Sequence, residues 1–421
     1  MLTLGIDLGT SGVRCCVLDN NGKVAGQSRQ PGQPVETPRP GWVEQDPETW
    51  WALVKTCITE LPPELRRAIG KISVDGTSAT LLLADDQGKP LTPALMYNDR
   101  RASAQAERIA AIAPADCAVH GPSASLAKLL WLLDHSDANP AHALHQTDWI
   151  NGKLSGRWNV SDYNNALKLG YDAVQLHWPE WLTQLPDVAA LLPDVVAPGS
   201  AIGSIRPGLA ASLGLSTDTI ITAGTTDSTA AFIATGASQT GDAVTSIGST
   251  LVMKIITPEP IFAPEYGIYS HRLGDHWLAG GASNSGGAVL LKYFTPEQLR
   301  ELSQQIDPEK DSGLDFYPLL QPGERFPIND PQLPPRIDSP DRHPPERFLH
   351  GLLEGIAHIE QLAYQRLHEL GAPWPTRVLT AGGGAKNPAW LRIRERMLNC
   401  PVTAAAGGEA ACGAARLGKE R

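Results

Sequence analysis

The sequence predicts a two-domain α/β protein, and three observations predict it. Apolar runs of strand period alternate with segments of helical period through most of the chain. A hairpin with a glycine- and hydroxyl-rich turn occurs at the start and again just past the middle. The length, 421 residues, exceeds what one hydrophobic core usually organises.

In the first hairpin, Leu2, Leu4 and Ile6 alternate with small residues up to Asp7. Gly9-Thr10-Ser11-Gly12 makes the turn, Arg14 to Leu18 resume a strand, and Asp19-Asn20-Asn21-Gly22 leads into a third from Lys23. Exposed backbone N–H groups and hydroxyls at such a turn can hold an anion, and the carboxylate a hydrated Mg²⁺. It is not a P-loop, because GxxxxGK[ST] is absent. On these residues alone an ordinary hairpin fits as well.

Further along, Ile69 to Asp75 and Leu81 to Ala84 read as strands, Arg101 to Ala113 and Lys128 to Leu133 as helices. A strand over 219–223 ends in Gly224, and Asp227 opens a helix closed by Gly236. Strand, Gly248-Ser249-Thr250 turn and strand then repeat the opening arrangement over 243–256. This sets the domains at 1–235 and 236–421, with the last helix a candidate to pack back on the first. Residues 322–345, rich in proline and charge, read as an irregular surface segment. The spacing then predicts a long helix over 347–370, a strand over 378–381, a Gly382-Gly383-Gly384 loop and a helix over 388–398.

The net charge of −10 speaks against nucleic acid or an acidic membrane as partner, and no apolar stretch is long enough to span a bilayer. The amino terminus runs straight into the first strand without a secretory h-region. Cys15, Cys16, Cys57, Cys117, Cys400 and Cys412 form no CxxC pair and read as free thiols, which points to a reducing, cytoplasmic compartment. His135, His142 and His145 lack further ligands at metal spacing and read as a surface helix or loop.

Four stretches carry candidate chemistry. Asp227 follows an apolar strand and heads a helix, so it stays ionised and either accepts a proton from a hydroxyl or merely caps the helix. The triple glycine allows close backbone approach to a ligand, with Asn387 and Trp390 placed to meet a base, unless it is only a tight strand–helix link. Ser78, at the end of the 69–75 strand, suits a sugar hydroxyl or a structural turn. Asn98 and Asp99 in Tyr97-Asn98-Asp99-Arg100 offer amide and acid, or a helix start with a surface ion pair.

The order of these stretches resembles the FGGY carbohydrate kinases of the sugar kinase/actin/Hsp70 superfamily. DLGTSGVR (7–14), VDGTSATLLLAD (74–85), MYNDRRA (96–102), TDWINGKLSG (147–156) and SDYNNALKLGYD (161–172) are similar to successive family segments. So are GTTDSTAAFIATG (224–236), SIGST (246–250), GGASNSGGAVLL (280–291), LEGIAHIEQ (353–361), GGGAKNPAWLRI (382–393) and GEAACGAARLG (408–418). The resemblance implies two ribonuclease-H-like domains flanking a central cleft, and ATP- and Mg²⁺-dependent phosphorylation of a sugar hydroxyl. Asp227 would be the general base, and also a sugar contact. Asp7 would serve Mg²⁺ through water, as would Asp227, and would also contact the sugar, with Ser78, Asn98 and Asp99 as further sugar contacts. Thr10, Ser11, Arg14, Gly248, Ser249 and Thr250 would hold phosphates, and Gly383, Gly384, Asn387 and Trp390 adenosine. The state implied is a cytoplasmic monomer or homodimer.

The chain is shorter than is typical of that family, which places the loss in peripheral insertions and the dimer interface in question. Where many members carry Arg-Glu or Met-His, this chain has Ser78-Ala79. The small pair speaks against glycerol and for a ketose. DGTSAT with PGERFP (322–327) looks most like a compact, xylulokinase-like group favouring D-ribulose. D-xylulose, a pentitol, or a weakly catalytic sugar-sensing ATPase of the same fold are the alternatives.

Overall fold

A computed structural model of the chain describes residues 1–32, 34–137 and 139–419. They fall into two compact units, Met1–Ala234 with Glu409–Arg421, and Thr235–Gly408.

The first unit opens with β1 (Leu2–Gly9), β2 (Gly12–Leu18) and β3 (Val24–Pro31), an antiparallel meander. Helix α1 (Pro47–Thr59) starts where Asp46 accepts from the Glu48 N–H and Pro47 takes the first turn. It buries Trp50, Trp51, Val54, Cys57 and Ile58 in the core that holds Leu4, Ile6 and Val13. After β4 (Ile69–Gly76) come α2 (Ser125–His135) and α3 (Gln146–Ser155). Helix α2 heads a second core with Leu81, Leu83, Val119 and Leu182. Then β5 (Ala201–Ser204), β6 (Ile220–Thr226) and α4 (Asp227–Ala234) complete the run. The sheet order is β5-β6-β4-β1-β2-β3, with β1, β4 and β6 parallel.

The second unit repeats this plan. Strands β7 (Asp242–Ile247), β8 (Leu251–Thr257), β9 (His271–Leu273) and β10 (His276–Ser283) precede α5 (Gly287–Tyr293). The long α6 (Pro345–Glu369) leads to β11 (Arg377–Gly382), α7 (Pro388–Leu398) and β12 (Val402–Ala404). The order is β9-β10-β8-β7-β11-β12, with an antiparallel β7-β8-β10 meander and parallel β7, β11 and β12. The repeat read from two short turns is thus a repeat of whole sheets. Helix α6 buries Phe348, Leu352, Ile356, Ile359 and Leu367, the stripe its spacing predicts.

The last helix, α8 (Ala410–Lys419), belongs to the first unit, where it lies on β1, β2, β4 and α4. Glycines make that close approach possible. A Cβ on Gly5 would stand 1.8 Å from the Ala411 carbonyl oxygen, and one on Gly413 1.7 Å from that of Ala230. Gly413→Ala is therefore expected to lower stability by about 1–3 kcal/mol, read as a lower urea midpoint. The gain in helix propensity is smaller than that strain.

Three expectations need correction. Cys16 and Cys412 form a disulfide, with Cα atoms 5.2 Å apart and 396 residues between them in sequence. Spacing hid it, because the pair forms only once α8 returns to β2; Cys15 points the other way, into the α1 core. The proline-rich segment is not all surface: Phe326 is fully buried, and buried Glu324 accepts hydrogen bonds from the Ser283 hydroxyl (2.6 Å) and the Asn284 N–H (2.7 Å). His145, read as a surface residue, is buried between the Ser125 hydroxyl (2.9 Å) and the Asp148 carboxylate (3.1 Å). Among the described residues no helix is long and apolar enough to cross a membrane.

Candidate active site

Ligands of open α/β sheets bind beyond the carboxyl ends of the parallel strands. In the first unit three acids stand there. Asp7 on β1 and Asp75 on β4 are register partners, Thr225 of β6 is the partner of Asp75, and Asp227 follows two residues later. Close strand packing sets this spacing, since a Cβ on Gly224 would lie 1.7 Å from the Val74 carbonyl oxygen.

Asp7 is buried, and its Oδ2 accepts from Arg14 Nη1 at 2.9 Å across the hairpin, while Arg14 Nη2 donates to Ser11 Oγ at 2.7 Å. The sequence-predicted Asp7, Ser11 and Arg14 therefore form one chain of contacts, with half-buried Thr10 at the same turn. Burial raises the Asp7 pKa against the downward pull of Arg14. Asp75 is fully buried, and burial, then the charges of Asp7 and Asp227, push its pKa well up. Half-buried Asp227 heads α4 and accepts from the Ser228 N–H at 2.6 Å. Lys168 completes the group: burial pushes its ammonium pKa down, and the Asp227 charge pulls it back up.

Sequence reasoning passed over Asp75 and Lys168. Asp75 carried the same signal as Asp7 and Asp227, an acid ending an apolar strand. Lys168 had no local signal, because only the fold brings it near β6, through the Asn164 amide that donates to Thr225 Oγ1 at 3.0 Å.

The Ser78 hydroxyl is buried and meets no partner in the protein, so it is a polar atom that a ligand can satisfy. Asn98 is exposed beside exposed Tyr97. Asp99 lies otherwise than expected. Its carboxylate is fully buried and taken up by the Val43 N–H (2.6 Å), the Arg101 N–H (3.0 Å) and the Arg101 guanidinium (2.7 Å). That guanidinium also pairs with Glu44 at 2.6 Å and lies 3.9 Å from the Trp42 ring. Asp99 therefore shapes the segment from within and leaves Asn98 as its exposed polar group.

In the second unit Gly248, Ser249 and Thr250 turn β7 into β8, with Gly248 and Ser249 exposed. Two glycine segments close on that turn. The Gly287 N–H donates to the Gly248 carbonyl at 2.8 Å, and Gly382, with φ +80°, is the register partner of Ile247. Gly384 is small for packing, since its Cβ would lie 2.7 Å from Ile247 Cβ, whereas Gly248 and Gly383 face open space. Trp390 and Asn387 are both engaged within the protein. Trp390 is buried in the core with its indole N–H on the Leu353 carbonyl (3.0 Å), so its ring meets no base. Asn387 caps α7, accepting from the Trp390 N–H at 3.1 Å and donating to Ser303 Oγ at 2.8 Å. Both were read from proximity to the glycines, and the demands of capping and core took them instead.

Beneath these loops, Arg394 and Glu360 form a fully buried bidentate pair, at 2.6 and 2.7 Å. Arg394 also donates to Thr380 Oγ1 on β11 at 2.7 Å, and Thr245 on β7 donates to Glu360. The network ties together the two strands that end in the glycine loops.

Comparison with known proteins agrees with this geometry. Models of the N-terminal and C-terminal domains of the FGGY family of carbohydrate kinases match residues 2–234 and 243–419. The chain is 27% identical to the xylulose kinase of Escherichia coli strain K12, over 98% of this chain and 89% of that one. It is 26% identical to the gluconokinase of Bacillus subtilis strain 168, over 99% and 86%. The crystal structure of a xyloylose kinase from Brucella ovis superposes with a TM-score of 0.86 at 27% identity, covering 99% of this chain and 90% of that one. With both domains matched over nearly the whole length, the chain belongs to the FGGY family of carbohydrate kinases, which are phosphotransferases.

Proposed function

We propose that the protein transfers the γ-phosphoryl group of ATP to a terminal hydroxyl of a ketopentose, D-ribulose ahead of D-xylulose, in the cytoplasm. The observation that carries this reading is Asp227, a helix-heading carboxylate that follows β6, while Asp7 lies near the end of β1 on the other side of the shared neighbour β4. Asp227 takes the proton of the attacking hydroxyl as the base. Ser78 and Asn98 hold the sugar, and the hydroxyl of Ser78 finds there the partner it lacks in the protein.

Gly248, Ser249, Thr250 and Gly383 bind the nucleotide. The open space at Gly248 and Gly383 fits phosphate or ribose at van der Waals distance, where a Cβ would intrude. Thr10, Ser11 and Arg14 meet the transferred group. Mg²⁺, held through water by Asp7 and Asp227, would neutralise phosphate charge. The hard carboxylate oxygens suit it. Positioning and charge neutralisation do most of the work in such a transfer.

The ketopentose rests on the similarity to xylulose kinases and on the small Ser78-Ala79 pair. ADP release is to be measured with D-ribulose, D-xylulose, pentitols, glycerol and gluconate, with and without reductant, since a cytoplasmic disulfide is readily opened. Turnover is expected to be fastest with D-ribulose. Turnover confined to gluconate would overturn the ketopentose, acceptor-independent hydrolysis alone would mark an ATPase, and tight binding without turnover a sensor.

A further inference from the structure

Helix α2 carries one charge in an otherwise apolar stretch, Leu126-Ala127-Lys128-Leu129-Leu130. Lys128 is fully buried, and among the described residues it makes no ion pair with a carboxylate. Its ammonium donates instead to two backbone carbonyls, those of Ala79 (2.8 Å) and Met96 (2.6 Å). Burying a cation for two neutral acceptors is costly, so the residue is not explained by packing alone. Burial pushes its pKa down to about 7, opposed by Asp99 and reinforced by Lys168 and Arg101.

The two carbonyls stand in the two acceptor segments. Ala79 has φ +63°, a left-handed conformation that a non-glycine residue keeps only when its surroundings hold it. That conformation directs the turn in which Ser78 lies, whose other anchors are the Thr77–Thr80 hydroxyl contact (2.6 Å) and the Thr77 N–H on the Gln146 amide oxygen (2.9 Å). The Met96 carbonyl also accepts from the Asp99 N–H at 2.9 Å, and so begins the turn that presents Asn98.

We propose that Lys128 is a positioning residue for the sugar: its ammonium staples the Ser78 turn to the Asn98 turn and sets the spacing between them. This rests on the reading of Ser78 and Asn98 as sugar contacts. Lys128 touches no substrate itself. Its removal takes the ammonium donor from the Ala79 carbonyl and leaves the Met96 carbonyl with the Asp99 N–H alone, so the Ser78 turn is no longer tied to the Asn98 turn.

The test is Lys128→Met, close in length and volume but without donors, beside Lys128→Gln, whose amide can still serve one carbonyl. The KM for the best acceptor of the wild-type enzyme is expected to rise at least tenfold in Lys128→Met and by less in Lys128→Gln. The KM for ATP and the acceptor-independent hydrolysis rate stay within twofold, readouts that general loss of structure would also move. An acceptor KM within twofold of wild type in folded Lys128→Met overturns the proposal. A parallel rise in both KM values overturns it too, as does failure of both variants to fold, which would make Lys128 a residue of the fold alone. If Lys128→Met alone fails to fold, the Lys128→Gln result decides. Wild-type enzyme that shows no acceptor-dependent ADP release defeats the kinase reading instead, so the two failures are distinguishable.

Discussion

Asp227→Asn is expected to lower acceptor-dependent ADP release by about 10²–10⁴-fold, the span that a positioned general base contributes. Asparagine keeps the shape of the side chain and can still accept from the Ser228 N–H, so α4 keeps its start. What it loses is the ability to take a proton. The Asp227 charge in turn raises the pKa of the Lys168 ammonium, which burial lowers. ADP affinity, measured by calorimetry, is expected to be unchanged, because the glycine loops lie in the other unit. Turnover within tenfold of wild type would remove Asp227 from the role of base.

The second large effect falls on stability. Arg394→Met is expected to cost about 3–5 kcal/mol, because it leaves Glu360 charged, buried and unpaired. Urea unfolding followed by tryptophan fluorescence reads the loss, and a shift under about 1 kcal/mol would contradict it. The double variant Glu360→Leu with Arg394→Met is expected to recover most of the loss, since no lone charge remains. The single variant also frees Thr380 on β11 from its donor and disturbs the Glu360–Thr245 contact on β7. The KM for ATP should therefore rise while that for the sugar holds.

Much of the fold was legible because it rests on local signals. Strand period, glycine turns and helix stops gave β1, β2, β7, β8, α6 and α7 within a few residues of their observed ends. The repeat of the first hairpin in Gly248-Ser249-Thr250 reflected two sheets that share five strands in the same order and differ in the sixth, edge strand. The errors concern partners remote in sequence. Nothing near Trp390 reveals that Leu353 will take its N–H, and nothing near Asp99 reveals that Val43 will take its carboxylate. Glu324 looked like a surface charge until β10 brought Ser283 and Asn284 to it. Lys128 was locally visible as a cation in an apolar helix, but its acceptors lie 49 and 32 residues away.

The return of α8 to the first unit has a consequence for the chain as it leaves the ribosome. Strands β1, β2 and β4 emerge early, yet the helix that covers them is encoded at the far end. At roughly 5–20 residues per second, more than 300 intervening residues keep that sheet face bare for about 20–70 s. During that interval Cys16 and Leu18, which cluster with Ala411 and Ala415 in the folded protein, lie uncovered. The nascent first domain cannot reach its native state before α8 has been made, and a product stalled or truncated ahead of it would expose that face to chaperones and proteases.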